Sequence, residues 1–72
     1  PWHRMGLIHE KKDDIRSACV AFRNAVRIAP DNHRPLRALA RMLKKQNKSD
    51  EAREVFNQAQ TLAQAEADQN TH

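Results

Sequence analysis

HRPLRALARMLKKQNK, residues 33–48, reads as a single helix with two opposed faces. At 100° per residue, Leu36, Leu39, Ala40 and Leu43 fall on one side at i, i+3, i+4, i+7 spacing. Arg34, Arg37, Arg41, Lys44, Lys45 and Lys48 fall on the other, and the stretch holds no acid. An apolar stripe must be buried against other elements, and a row of like charges must stay wet. The rest of the chain is therefore read as what covers the first face and leaves the second open.

Outward from this stretch, the charge is unevenly spread. The whole chain carries +4, yet residues 1–32 carry +2, residues 33–48 carry +6 and residues 49–72 carry −4. One helix is basic and the last segment is acidic, so the high overall pI says little by itself. Seventy-two residues allow one small domain with a thin core. Good helix formers dominate, while β-branched and aromatic residues are scarce. Cys19 is the single cysteine, which excludes an intrachain disulfide scaffold. No apolar run approaches the roughly 20 residues of a membrane-spanning helix. The chain opens at Pro1 without Met or a signal-like segment, as a fragment of a longer protein would.

An internal period organises all of it. Offsetting the chain by 34 residues aligns Pro1 with Pro35, Lys11 with Lys45, Ala18 with Ala52, and Phe22 with Phe56; Ala25 meets Ala59 and Ala29 meets Ala63. Roughly two identities are expected by chance from ordinary residue frequencies. The near matches follow side-chain size: Trp2 with Leu36, Met5 with Leu39, Gly6 with Ala40, Ile8 with Met42, Ile28 with Leu62. Each copy reads helix, short turn, helix. The first helix is expected from Pro1 to Lys11, with Pro1 and Pro35 in first turns where a missing N–H costs nothing. The second runs from Asp14 to Ala29, and Pro30 ends the first copy. Asp31 or Asn32 caps the third helix, which ends near Gln46-Asn47. Ser49 is read as the cap of the fourth, with Asp50 and Glu51 at its favourable end for negative charge. Asp13 and Asn47 stand at equivalent turn positions and tolerate the left-handed conformation such turns need.

Trp2-x2-Met5-Gly6-x2-His9 followed by Ala18-x3-Phe22-x2-Ala25-x4-Pro30 resembles the tetratricopeptide repeat signature in register. Leu36-x2-Leu39-Ala40-x2-Leu43 with Ala52-x3-Phe56-x2-Ala59 resembles a second copy. The departures are His9 where an aromatic is usual, Asp13 and Asn47 for Gly, and Gln64 where the first copy has Pro30. Gln64 lets the last helix run on, to about Ala67. The resemblance implies an all-α fold: two antiparallel helix-turn-helix repeats, four helices in all, stacked as a short right-handed α-solenoid. Residues 1–32 form the first repeat, 33–66 the second, and 67–72 a polar tail that frays from Asp68. Gly6 and Ala40 allow close helix crossing, and Phe22 and Phe56 each fill the space within their own pair. Trp2, at the position of Leu36, reads as core. In the second copy Ile15, Cys19, Val20 and Val26 become Ser49, Arg53, Glu54 and Gln60, which reads as the wetted end of an array. Ile8 then faces a missing preceding unit, and self-association through the exposed first helix would compensate.

Residues suited to catalysis are sparse. His3, His9, His33 and His72 never stand at i, i+3 or i, i+4, so no helical zinc face is formed. Cys19 lies among Ala18, Val20 and Phe22 without a neighbouring base and reads as a structural thiol. There is no glycine-rich phosphate loop and no nucleophile–histidine–acid pattern. The chain reads as a non-enzyme without cofactor or metal. The resemblance implies a concave groove lined by the first helix of each repeat, with His3, Leu7, Glu10 and Lys11 beside Arg34, Arg37, Arg41, Lys44 and Lys45. An acidic or amphipathic segment of a protein partner fits it. A solvated basic face, partly neutralised by Asp50, Glu51 and Glu54, is the plain alternative. The family's chaperone-tail clamp is missing, since its lysine and asparagine places hold His3, Leu7 and Ala38. Two rivals remain: nucleic-acid binding through the same helix, and an assembly domain appended to an enzyme. The first is the weaker, because after Trp2 only Phe22 and Phe56 remain as aromatics and both read as buried, leaving nothing to stack on bases, and the −4 final segment repels phosphate.

Overall fold

The computed structural model describes residues 2–70. Four helices follow in order: α1 (Trp2–Lys11), α2 (Ile15–Ile28), α3 (His33–Lys45) and α4 (Ser49–Asn70). Helix α4 continues past Ala67 to Asn70, because no Pro or Gly interrupts it. Pro1, expected in the first turn of α1, and His72 lie outside the described residues.

The two within-repeat turns share one hydrogen-bond pattern. Asp14 N–H donates to the His9 carbonyl at 2.8 Å and Asp13 N–H to the Glu10 carbonyl at 2.9 Å. Lys48 N–H donates to Leu43 at 2.9 Å and Asn47 N–H to Lys44 at 3.0 Å, the same six-to-one and five-to-two closure. Asp13 and Asn47 sit at φ 62° and 63°, in the left-handed region expected of them. Asp14 then caps α2 by accepting from Ser17 N–H at 3.3 Å, and hydrogen bonding from Ser17, its side chain first and its N–H second, holds the carboxyl below the usual aspartate range. Asn32 caps α3 by accepting from Arg34 N–H at 3.1 Å. Ser49 does not cap α4: it lies in the first turn, and the first helical bond runs from Ala52 N–H to the Lys48 carbonyl.

Helix α1 packs on α2, α2 on α3, and α3 on α4, giving two hairpins joined through their inner helices. The molecule measures 41 × 27 × 18 Å. The shortest dimension is about two helix diameters, as two layers of helices require. The core gathers Ala18, Cys19 and Phe22 of α2, Ala38, Leu39, Met42 and Leu43 of α3, and Ala52 of α4. A Cβ on Gly6 would come within 2.5 Å of the Phe22 ring, so the crossing of α1 and α2 depends on glycine there. Among the described residues beyond Ala59, only Leu62 and Ala63 are partly buried, and residues 64–68 of α4 are exposed. There Glu66 approaches His33 Nδ1 to 3.2 Å without hydrogen-bond geometry.

Two equivalences of the repeat fail in three dimensions. Phe22 is 0% exposed, but Phe56 is 40% exposed. Leu36 is buried, whereas Trp2 is 39% exposed. The cause is the same in both cases: α2 and α3 are covered on two sides, while α1 and α4 are covered on one.

Candidate partner-binding surface

Helix α3 turns its apolar side chains inward along two directions, toward α2 and toward α4. Its charged residues occupy the remaining arc. Arg34, Arg37, Arg41, Lys44 and Lys45 are all exposed, as is Lys48 in the turn that follows the helix. They do not form one uniform stripe, because neighbours divide them.

Glu10 of α1 reaches across to Arg41, accepting hydrogen bonds from Nε at 2.8 Å and from Nη2 at 2.7 Å. Lys45 Nζ adds an ion pair to the same carboxylate at 3.6 Å. The Glu10 side chain is only 18% exposed. The Arg41 hydrogen bonds, and then the charges of Arg41 and Lys45, hold its carboxyl below the usual glutamate range against the upward pull of burial. The same contact raises Arg41 further. A two-pronged guanidinium–carboxylate contact fixes direction as well as charge. Two of the basic residues are thus committed to joining α1 to α3. Among the described residues no ion pair joins Asp50, Glu51 or Glu54 to α3; Glu51 instead meets Arg23 of α2 at 3.4 Å.

Among the described residues Arg37 and Lys44 have no such partner. Together with Arg41 they line a cleft between α3 and α4, which Arg53 closes from the far side. Its floor is apolar: Ala40 from α3, Ala52 and the partly exposed Phe56 from α4. All four charged side chains around it are cations. The i, i+4, i+7 spacing of Arg37, Arg41 and Lys44 places them along one edge.

The other expected groove residues lie apart from this cleft. Arg34 lies near the start of α3 in a hollow shared with Asp31 and Glu66. His3 is half-buried, its ring 5.6 Å from that of Phe22 at a tilt of 52°. Leu7 and Lys11 are exposed on α1. Arg53 and Phe56 belong to the surface although the sequence reading left them out. Arg53 carried a signal, since it replaces the buried Cys19 of the first copy. Val20 is 56% exposed, so its change to Glu54 does not mark a covered face turned wet.

Among the described residues no group of three His, Cys, Asp or Glu side chains is placed to hold a metal ion. Among the described residues no helix is long and apolar enough to cross a membrane. A model of the tetratricopeptide repeat matches residues 1–32 and again residues 38–66. Neither the curated proteins nor the solved structures gave a match.

Proposed function

The chain belongs to the tetratricopeptide repeat family, whose repeats generally mediate protein–protein contact, and we propose that it is an interaction scaffold whose basic α3 receives an acidic segment of a partner protein. The observation that supports this is the cleft between α3 and α4. Arg37, Arg41, Lys44 and Arg53 surround an apolar floor, and no carboxylate lines it. A face made only for solubility is served by mixed signs. Individual exposed ion pairs contribute roughly 0.2–1 kcal/mol, so recognition draws on several of them together with the Phe56 contact.

The test is fluorescence anisotropy with a labelled peptide of glutamate and leucine. Arg37→Glu with Lys44→Glu removes binding while the helical circular dichroism stays unchanged, because both side chains are exposed and unpaired. Arg41 is left intact, since its reversal would set two carboxylates together at Glu10. Binding weakens as salt rises. Intact binding in the double variant would show the basic face to be mere solvation.

Phe56 also favours a second reading. It is not buried, and a partly exposed ring among four cations is what single-stranded nucleic acid uses. Only one ring is present in the cleft, where such sites stack successive bases. A labelled oligothymidine in the same assay separates the two: tighter binding than the peptide, with a steep salt slope, would favour nucleic acid.

A further inference from the structure

Helix α3 sits on the first repeat in a definable seat. Ala18, Cys19 and Phe22 of α2 share one apolar cluster with Ala38, Leu39 and Met42 of α3, and Ile15 packs at its margin. At the side, Arg41 and Lys45 close on Glu10. Adding 34 to the seat's numbers turns Ile15, Ala18, Cys19 and Phe22 into Ser49, Ala52, Arg53 and Phe56. Gly6 becomes Ala40 and Glu10 becomes Lys44. These are the residues of the cleft between α3 and α4. The cleft is therefore the repeat image of a surface that already holds a helix in this molecule.

Its shape is kept and its charge is inverted. Where Glu10 meets two cations in the first seat, the second presents Lys44; where Cys19 is buried, it presents Arg53. Resting on the acidic-partner reading above, we infer that the partner segment is an amphipathic α-helix laid in the cleft as α3 lies on α2. Two carboxylates four residues apart, in the places of Arg41 and Lys45, face Lys44. An extended segment fits less well, because its backbone N–H and C=O groups would meet Ala40, Ala52 and Phe56 with nothing to pair them. A helix satisfies its own. A second copy of this chain is disfavoured by the same register. Its α1 would bring Leu7 and Lys11 to the places of Arg41 and Lys45, setting Lys11 against Lys44.

The probes are synthetic peptides copying the 13 residues of α3, with Arg34, Arg37 and Lys44 replaced by glutamine. One keeps Arg41 and Lys45; its acidic twin carries R41E and K45E. A third adds A40P to the acidic twin, breaking the helix at a residue that does not serve the seat. The acidic twin binds the full chain about tenfold more tightly than the basic one at low salt, as two exposed pairs change from repulsive to attractive. Its circular dichroism becomes helical on binding, since so short a helix is marginal alone. The A40P peptide loses at least that factor. Lys44→Glu in the protein reverses the preference, so that the basic peptide binds better.

Equal binding of the A40P peptide would overturn the helix while leaving the acidic-segment reading in place. An acidic preference that Lys44→Glu does not reverse would overturn the register. Failure to distinguish acidic from basic twins, together with no binding of the glutamate–leucine peptide, would remove both proposals.

Discussion

Gly6→Ala is the substitution through which the packing of α1 on α2 is most directly tested. The added Cβ would lie 2.5 Å from Phe22 Cε1 and 2.7 Å from Cδ1 and Cζ. Carbon atoms pack at about 3.5–4.0 Å, so roughly an ångström of overlap must be relieved. The ring cannot swing outward, because Phe22 is fully buried and the His3 ring stands beside it. Either α1 lifts from α2 or the core around Phe22 shifts, and such overpacking costs about 1–3 kcal/mol. Against this stands the helix-propensity gain of alanine over glycine, about 0.8–1 kcal/mol. The net expectation is a loss of about 1 kcal/mol, which lowers the melting temperature by about 4–8 °C in a domain of this size. Thermal denaturation followed by circular dichroism reads it. The double-mutant cycle with Phe22→Leu sharpens the result. Leucine withdraws the outer ring atoms, so Gly6→Ala should cost less in that background, or even stabilise. A melting temperature that rises on Gly6→Ala alone, or strictly additive costs in the cycle, would refute the close crossing.

Phe22→Ala should cost about 3–5 kcal/mol by urea denaturation, whereas Phe56→Ala, already partly in water, should cost about 1–2 kcal/mol. At Asp13 and Asn47 the left-handed backbone predicts that glycine matches or exceeds the native stability, while alanine falls about 1 kcal/mol below it. Melting temperatures of the two substitution series check the order. Glu10 adds a pH dependence. Its folded carboxyl titrates below its unfolded one, so its contribution is complete above the ordinary glutamate value of about 4.3 and is lost as pH falls through the lower folded value. Because Arg41 is half exposed, the portion lost should not exceed about 1 kcal/mol. Urea midpoints measured across the acid range should fall less steeply in Glu10→Gln, and equal slopes would show that the pair contributes nothing.

What the sequence by itself determined was the local and the periodic. Asp13 and Asn47 announce their turns because a left-handed residue after a helix is a property of the few residues around it. The cap of α3, narrowed to Asp31 or Asn32, and the small residue at Gly6 are of the same kind. The two copies are visible because helix pairs that cross alike need large and small side chains at matching places. Ser49 was misplaced by one position for a related reason: Lys48 has no cap side chain, yet its carbonyl can still begin the helix. The tertiary structure decided everything that depends on what lies beside a residue rather than along the chain from it. Phe22 and Phe56 are equivalent in sequence, but Phe22 has helices on both sides, α1 and α3, whereas among the described residues Phe56 has α3 alone. Trp2 and Leu36 differ in the same way. Glu10 stands 31 residues from Arg41, and no helical periodicity connects them; it took the packing of the two repeats to bring that acid to the basic helix and split its charges. The cleft exists for the same physical reason: a repeated sequence specifies a repeated surface, but burial and neutralisation come from the neighbour, and on the side of α4 away from the first repeat the described chain supplies none.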